Sequence, residues 1–332
     1  MTYSTGSQIL AADYNTFAGN TTAGLNRVWG TGSGDAGWGQ TSIGTVSANG
    51  VVTATNWATL VNNLATSGTQ TNQTLTSRTA PVTGNVVAIL ANVQTDINTV
   101  TTYRGNAAAS GTISSTWTGN IAKTAATSNG TNGAWTIVWT QTVTFPSADQ
   151  ARYFWNAGGL VRLDMSKTST GTDIDPDWNT FVGTVGTLYL SGYVNSAAQT
   201  IAGVSYTGFT RSGGSGTPSV IANTTGWYTL TPGAAGTNMF TLYSTVSPYT
   251  GDYVQVTAAV NAGSTVLTLT TTWNQTADTN PGETTNISGG TDTASPYTAF
   301  GTAPAVLCRF IPPSTASLTN SWGTPTVASS IV

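Results

Sequence analysis

Apolar positions recur with a helical period through the first hundred residues and alternate with polar ones further on. From Tyr14 they fall at Phe17, Ala18, Leu25 and Val28, which predicts a helix capped by Asp13 and stopped by Gly30. Trp57, Leu60, Val61 and Leu64 stand at i, i+3, i+4 and i+7 and predict a second helix, capped by Thr55 or Asn56. A third is expected from Pro81 to Arg104. Its apolar positions Val86, Leu90, Val93, Ile97 and Val100 repeat at alternating spacings of four and three. This two-heptad seam suits an oligomer or attachment interface, and it suits equally a helix packed on its neighbours, since a coiled coil normally needs three to four heptads. Between the first two helices, residues 30–40 (GTGSGDAGWGQ) form a Gly-rich loop. Ile43 to Val52 reads as a small strand pair turning at Asn49-Gly50. Residues 66–80 are polar and Thr-rich and carry no assignable period.

Residues 106–111 (NAAASG) read as a hinge, and beyond them the period changes to two. Strands are expected over Thr136–Phe145, Gly159–Met165, Val185–Tyr193, Gly226–Thr231, Met239–Thr245, Asp252–Val260 and Thr265–Trp273. Turn signals separate them, including Gly158-Gly159, Pro232-Gly233 and Asn261-Ala262-Gly263. The expected fold is α+β: a helical attachment or oligomerisation region over 1–105, the hinge over 106–111, and a large antiparallel, sandwich-like β region over 112–332.

Composition narrows the function. Hydrophobic residues make up 39 % of the 332, enough for a core, but charged residues only 6 %, against about 25 % in ordinary soluble domains. There is no His, and Glu283 is the single glutamate; about one residue in five is Thr. General acid–base catalysis relies most often on His or on a tuned Glu or Lys, so an enzyme of a common kind is not expected. The 9 basic residues are scattered and the net charge is −3, which argues against nucleic-acid binding and against polybasic membrane recognition. With 11 Trp, 12 Tyr and 8 Phe the chain is too aromatic for a disordered one. A surface made mainly of hydroxyls suits a rigid, packed assembly of many copies. The lone Cys308 precludes an intrachain disulfide. No secretory leader and no membrane span is evident, so folding in a cytoplasm and no membrane insertion are expected.

Three patterns bear on chemistry. Residues 30–39 contain Gly-x-Gly, but they follow a helix rather than a strand and lack a P-loop Lys, so a permissive loop is the expectation. Asp173, Asp175 and Asp177 alternate as in calcium loops, yet Trp178 and Thr184 occupy the positions of the motif's Gly and Glu. A solvated turn leading into a short helix at Trp178–Val182 is the alternative to a cation site. Asp149, Asp164 and Asp252 lie in or beside strand candidates, but nothing in the sequence pairs them as a glycosidase requires. Neither a metal nor another cofactor is assigned. Arg152 is placed to pair with Asp149 or to stack on Tyr153 or Trp155, as a structural pin. Asn156 to Gly159 is expected to turn tightly into the next strand.

Several of these stretches resemble one family. Ala12-Asp13-Tyr14-Asn15, Val28-Trp29-Gly30-Thr31-Gly32, Gly37-Trp38-Gly39-Gln40 and Trp57 with Leu60 are similar to the N-terminal part of virion structural proteins of marine and cyanobacterial tailed phages. The run Arg152-Tyr153-Phe154-Trp155-Asn156-Ala157-Gly158-Gly159 is the most specific piece, and Asp177-Trp178-Asn179 also matches. The resemblance covers about the first 190 residues in pieces and brings no catalytic residues. It implies a virion component of the tail fibre, baseplate or neck, with a head decoration or vertex protein and a host-glycan-binding module as alternatives. The partners expected are other virion proteins, a homo-oligomer (trimer favoured, from the seam at 86–100 and the fibre analogy) and, through exposed Trp or Tyr rings, a host surface glycan.

Overall fold

The computed structural model describes residues 10–83, 92–107, 121–122, 127–128, 134–167, 174–192, 199–201, 204–206, 208–245, 250–276 and 304–331. Its helices are α1 (Ala11–Ala18), α2 (Ala54–Gln70), α3 (Val93–Thr102), α4 (Ala148–Asn156) and α5 (Ile174–Val185). The strands in chain order are β1 (Ile121–Ala122), β2 (Thr127–Ser128), β3 (Trp135–Thr144), β4 (Leu160–Ser166), β5 (Thr187–Leu190), β6 (Gln199–Ile201) and β7 (Val204–Tyr206). They continue as β8 (Phe209–Ser212), β9 (Val220–Ile221), β10 (Thr237–Tyr243), β11 (Tyr253–Val260), β12 (Val266–Gln275), β13 (Ala305–Ile311) and β14 (Thr326–Ile331). The fold is α+β, with α1 to α3 first and a large antiparallel β region after them, which itself carries α4 and α5 between strands.

A seven-stranded sheet has the order β14-β3-β12-β11-β10-β9, with β2 alongside the start of β3. A five-stranded sheet has the order β1-β13-β4-β5-β8, and β6 and β7 form a separate hairpin. Alternation sets which face is buried. On β3, Trp135, Ile137, Trp139, Gln141 and Val143 point inward and the residues between them outward. The inner faces of both sheets feed one continuous core, which also takes in α1, α2 and α3. Aromatic contacts tie the layers together. Trp178 of α5 stacks on Trp273 of β12 with centroids 5.6 Å apart, and Phe154 of α4 meets Phe310 of β13 edge-on at 6.1 Å.

Local chemistry explains where elements differ from the sequence expectation. Helix α1 ends at Ala18 because Gly19 and Asn20 interrupt it, long before Gly30, and Asp13 lies within it rather than at its cap. Helix α2 is capped by Thr53, not Thr55 or Asn56. The Thr53 side chain accepts from Asn56 N, and the Asn56 side chain accepts from Thr53 N at 2.9 Å, a reciprocal capping box. Helix α3 starts at Val93, not Pro81, because Asn92 sits at φ 62 in the left-handed region. The strand pair at 43–52 is not formed, although the turn at Asn49 is. Gly226–Thr231 is a 3-10 turn over Trp227–Thr229 rather than a strand. Val185 closes α5, so the following strand begins only at Thr187. Residues 148–156, to which the sequence pattern assigns no element, form α4 with Ser147 as its cap.

The regions 1–105 and 112–332 do not have separate cores. Trp38 Nε1 donates to Asn156 O at 3.0 Å, Gln70 Nε2 to Ala157 O at 3.2 Å, and Gln40 Nε2 to Thr319 O at 3.0 Å. Of the expected hinge, Asn106 ends a 3-10 turn and Ala107 is fully buried, while 108–111 lie outside the described residues.

Candidate functional site

The Gly-rich loop 30–40 and the run 152–159 meet at one place. The loop packs over α4 at Arg152, Tyr153 and Asn156. Gly37 has φ +98 and Gly39 φ +69, backbone states that favour glycine, and a Cβ on Gly39 would run into the Tyr153 ring. Loop carbonyls rather than amides face the helix. Arg152 Nη1 donates to Thr31 O and Ala36 O, both at 2.7 Å, and its Nη2 pairs with Asp149 at 3.0 Å. The same guanidinium lies 4.9 Å from the centroid of the Tyr153 ring. Asn156 Nδ2 donates to Gly37 O at 3.1 Å, and its Oδ1 accepts from the Tyr228 hydroxyl at 2.7 Å. Burial pushes the Tyr228 phenol far above its usual range, so it stays a neutral donor. Arg104, at the start of the 3-10 turn Arg104–Asn106, pairs with Asp35 at 2.8 Å and donates to Asp35 O. Two arginines from different elements thus clamp one loop. A rim of carbonyls is the reverse of a phosphate cradle, which presents amides.

An open cleft of about 260 Å³ adjoins this junction, lined by Asp149, Arg152, Trp227, Tyr228, Leu230 and Pro232 among others. The Arg152 and Tyr228 groups on it are already committed to the loop and to Asn156. A second charged cluster lies on the outer face of the five-stranded sheet. Asp164 accepts from Arg162 Nε and Nη2, both at 2.7 Å, from Arg309 Nη2 at 3.1 Å and from Thr187 Oγ1 at 3.1 Å. Burial raises the Asp164 carboxyl, but the hydrogen bonds and charge of Arg162, aided by Arg309 and Thr187, outweigh it and hold the group below the ordinary carboxylate value. Asp252, nearly fully buried, accepts from Thr276 N at 2.9 Å and ties the end of β12 to the start of β11. Each of Asp149, Asp164 and Asp252 is therefore held by donors in a separate structural contact.

The outward face of the seven-stranded sheet has a different character. Register aligns Ser330, Thr140, Thr270, Thr257 and Asn238 across five strands. A parallel row holds Ala328, Thr142, Thr268 and Ala259. Two more rows run Val138-Thr272-Gln255-Thr241 and Thr136-Asn274-Tyr253-Tyr243. No charged side chain stands in these rows. At their end Tyr243, 46 % exposed, lies 5.7 Å from Tyr253 between ring centroids.

Of the expected interface, Val86 and Leu90 lie outside the described residues, and Val93, Ile97 and Val100 are fully buried in the chain's own core. There α3 packs against α1, α2 and the turn at Leu25–Arg27. The seam's period records that packing, so these three residues present no free stripe to a second chain. Asp173 lies outside the described residues, and Asp175 and Asp177 fall in the first turn of α5. Among the described residues no group of three His, Cys, Asp or Glu is placed to hold a metal ion, and no helix is long and apolar enough to cross a membrane. Two features escaped the sequence reading. The Arg104–Asp35 pair joins residues with no local signal, whereas the Tyr243–Tyr253 pair was accessible from the two strands flanking the 244–252 connection. Neither a protein-family model, nor a curated protein, nor a solved structure matches the chain.

Proposed function

We propose that this protein is a non-enzymatic structural component of a tailed phage particle, in the tail fibre, baseplate or neck, with its β region outward. The observation that carries this reading is how its few charges are used. Arg104, Arg152, Arg162, Arg309 and the aspartates facing them tie loops and strands together, while the broad outer face of the seven-stranded sheet is left to threonines and other neutral groups. Such a division favours rigidity and neutral contacts over proton transfer. The resemblance of residues 12–40 and 152–159 to virion proteins supports the same reading. Association with other copies belongs to the proposal, through surfaces other than Val93, Ile97 and Val100.

Electron microscopy of intact virions labelled with an antibody to residues 112–332 tests the assignment. Label on the tail, its base or the neck is the expected result. Label over the head moves the protein to the decoration class, and particles without label remove it from the virion. A second reading, recognition of a host surface glycan, is favoured by the exposed Tyr243 beside Tyr253, since such rings stack on sugars. Loss of binding to host cells in a Y243A variant with unchanged melting temperature would support it.

A further inference from the structure

The inner face of β3 carries one residue foreign to an apolar core. Gln141 is fully buried between Trp139 and Val143, and neither its Nε2 nor its Oε1 has a hydrogen-bond partner in the protein. Register places Ser329 of β14 directly opposite it on one side and Leu269 of β12 on the other. Thr271 stands opposite Trp139, and so lies diagonal to Gln141 on the same inward face. The Ser329 Oγ and the Thr271 Oγ1 are likewise buried without a partner. Four such atoms therefore gather on one patch, where buried polar atoms normally find a hydrogen bond.

Directly opposed residues of antiparallel strands have Cβ atoms about 4.5–5.5 Å apart, and diagonal neighbours about 7–8 Å. Two polar atoms bridged by one water stand about 5.5 Å apart, twice an ordinary hydrogen-bond length. Neither hydroxyl meets the amide directly, which leaves room for a bridge on each side. The groups also complement one another, because an amide offers donors and an acceptor and each hydroxyl offers both. All are neutral, which suits water rather than an ion. Ser329 lies on an edge strand and is partly exposed, so the patch is within reach of solvent.

We infer that this patch is an internal hydration site, in which one ordered water links the Gln141 amide to the Ser329 oxygen on the β14 side and another links it to the Thr271 oxygen on the β12 side. Three hydrogen bonds are the usual complement of such a water. The site joins the edge strand β14 to β3, and β3 to β12, through solvent where direct side-chain hydrogen bonds are lacking. It is independent of the protein's place in a virion.

A high-resolution crystal structure of the full chain tests the inference. An ordered water within hydrogen-bonding distance of Gln141 Nε2 and of at least one of the two hydroxyls is expected; a dry patch overturns it. Thermal unfolding of T271V and Q141M gives a second, independent reading, and the near-isosteric T271V keeps it available should Q141M fail to fold. A hydrated patch predicts that T271V lowers the melting temperature, by about 2–4 °C. A dry one predicts no change or a rise, because the substitution then removes an unsatisfied hydroxyl.

Discussion

Arg152 offers a test in which one side chain serves two kinds of partner of unequal worth. Its Nη1 donates to two loop carbonyls at 2.7 Å, while its Nη2 meets Asp149, whose side chain is 71 % exposed. A hydrogen bond from a charged donor contributes about 1.5–3 kcal/mol. The Thr31 bond is exposed and the Ala36 bond part-buried, so water can replace some of both, and R152M is expected to cost about 2–4 kcal/mol in all. R152K should recover only part of this, since a single ammonium cannot reproduce the fork that serves the loop and Asp149 together. D149N, by contrast, should cost no more than about 0.5 kcal/mol, as exposed pairs generally do. Denaturant unfolding followed by tryptophan fluorescence reads all three, because Trp38 and Trp155 border the junction. The reasoning fails if D149N destabilises as much as R152M, or if R152M unfolds with the wild type.

Three further outcomes follow from local geometry. T53A should cost about 1 kcal/mol by removing the cap of α2, and T53S should restore most of it in the same assay. The Asp164 carboxyl is held below its ordinary 3.8 in the folded protein, so its stabilisation is present above that value and lost as pH falls through the lower folded one. Wild type should therefore melt above D164N near pH 6, with the gap closing in acid; a constant gap would contradict the assignment. Cys308 is fully buried and its thiol is pushed up to about 12. It should resist a thiol reagent at pH 8 until denaturant unfolds the chain, and rapid labelling of native protein would show that the core opens.

Long alternating strands were the most legible part of the fold. In β3, β11 and β12 buried positions recur at every second residue, apolar apart from Gln141, Thr271 and Gln275, and this leaves one register for burial. Helix α4 was not legible. Its Arg152-Tyr153-Phe154-Trp155 run places aromatics side by side, which hides a 3.6 period, and only Ser147 with Gln150 marks its start. Strand β14 (TVASSI) was missed because it is an edge with no fully buried residue and hence only weak alternation. The seam of α3 showed a packing face correctly but could not reveal its partner, since the helices that cover it lie tens of residues away. At the junction the Arg152–Asp149 pair and the Tyr153 contact were readable from local spacing. The loop carbonyls of Thr31 and Ala36, more than a hundred residues distant, were not.

The Gln40–Thr319 contact bears on the order in which the molecule can be made. Gln40 both donates to and accepts from Thr319, across 279 residues of chain. A ribosome adding about 5–20 residues per second needs roughly 15–55 s to cover that distance. For that interval the loop after Val28 has no access to its final partner, and the closure entropy of the contact is met only at the end of synthesis. Nascent chains should therefore acquire the native environment of Trp38 late and in one step, and truncations before residue 319 should leave it incompletely packed.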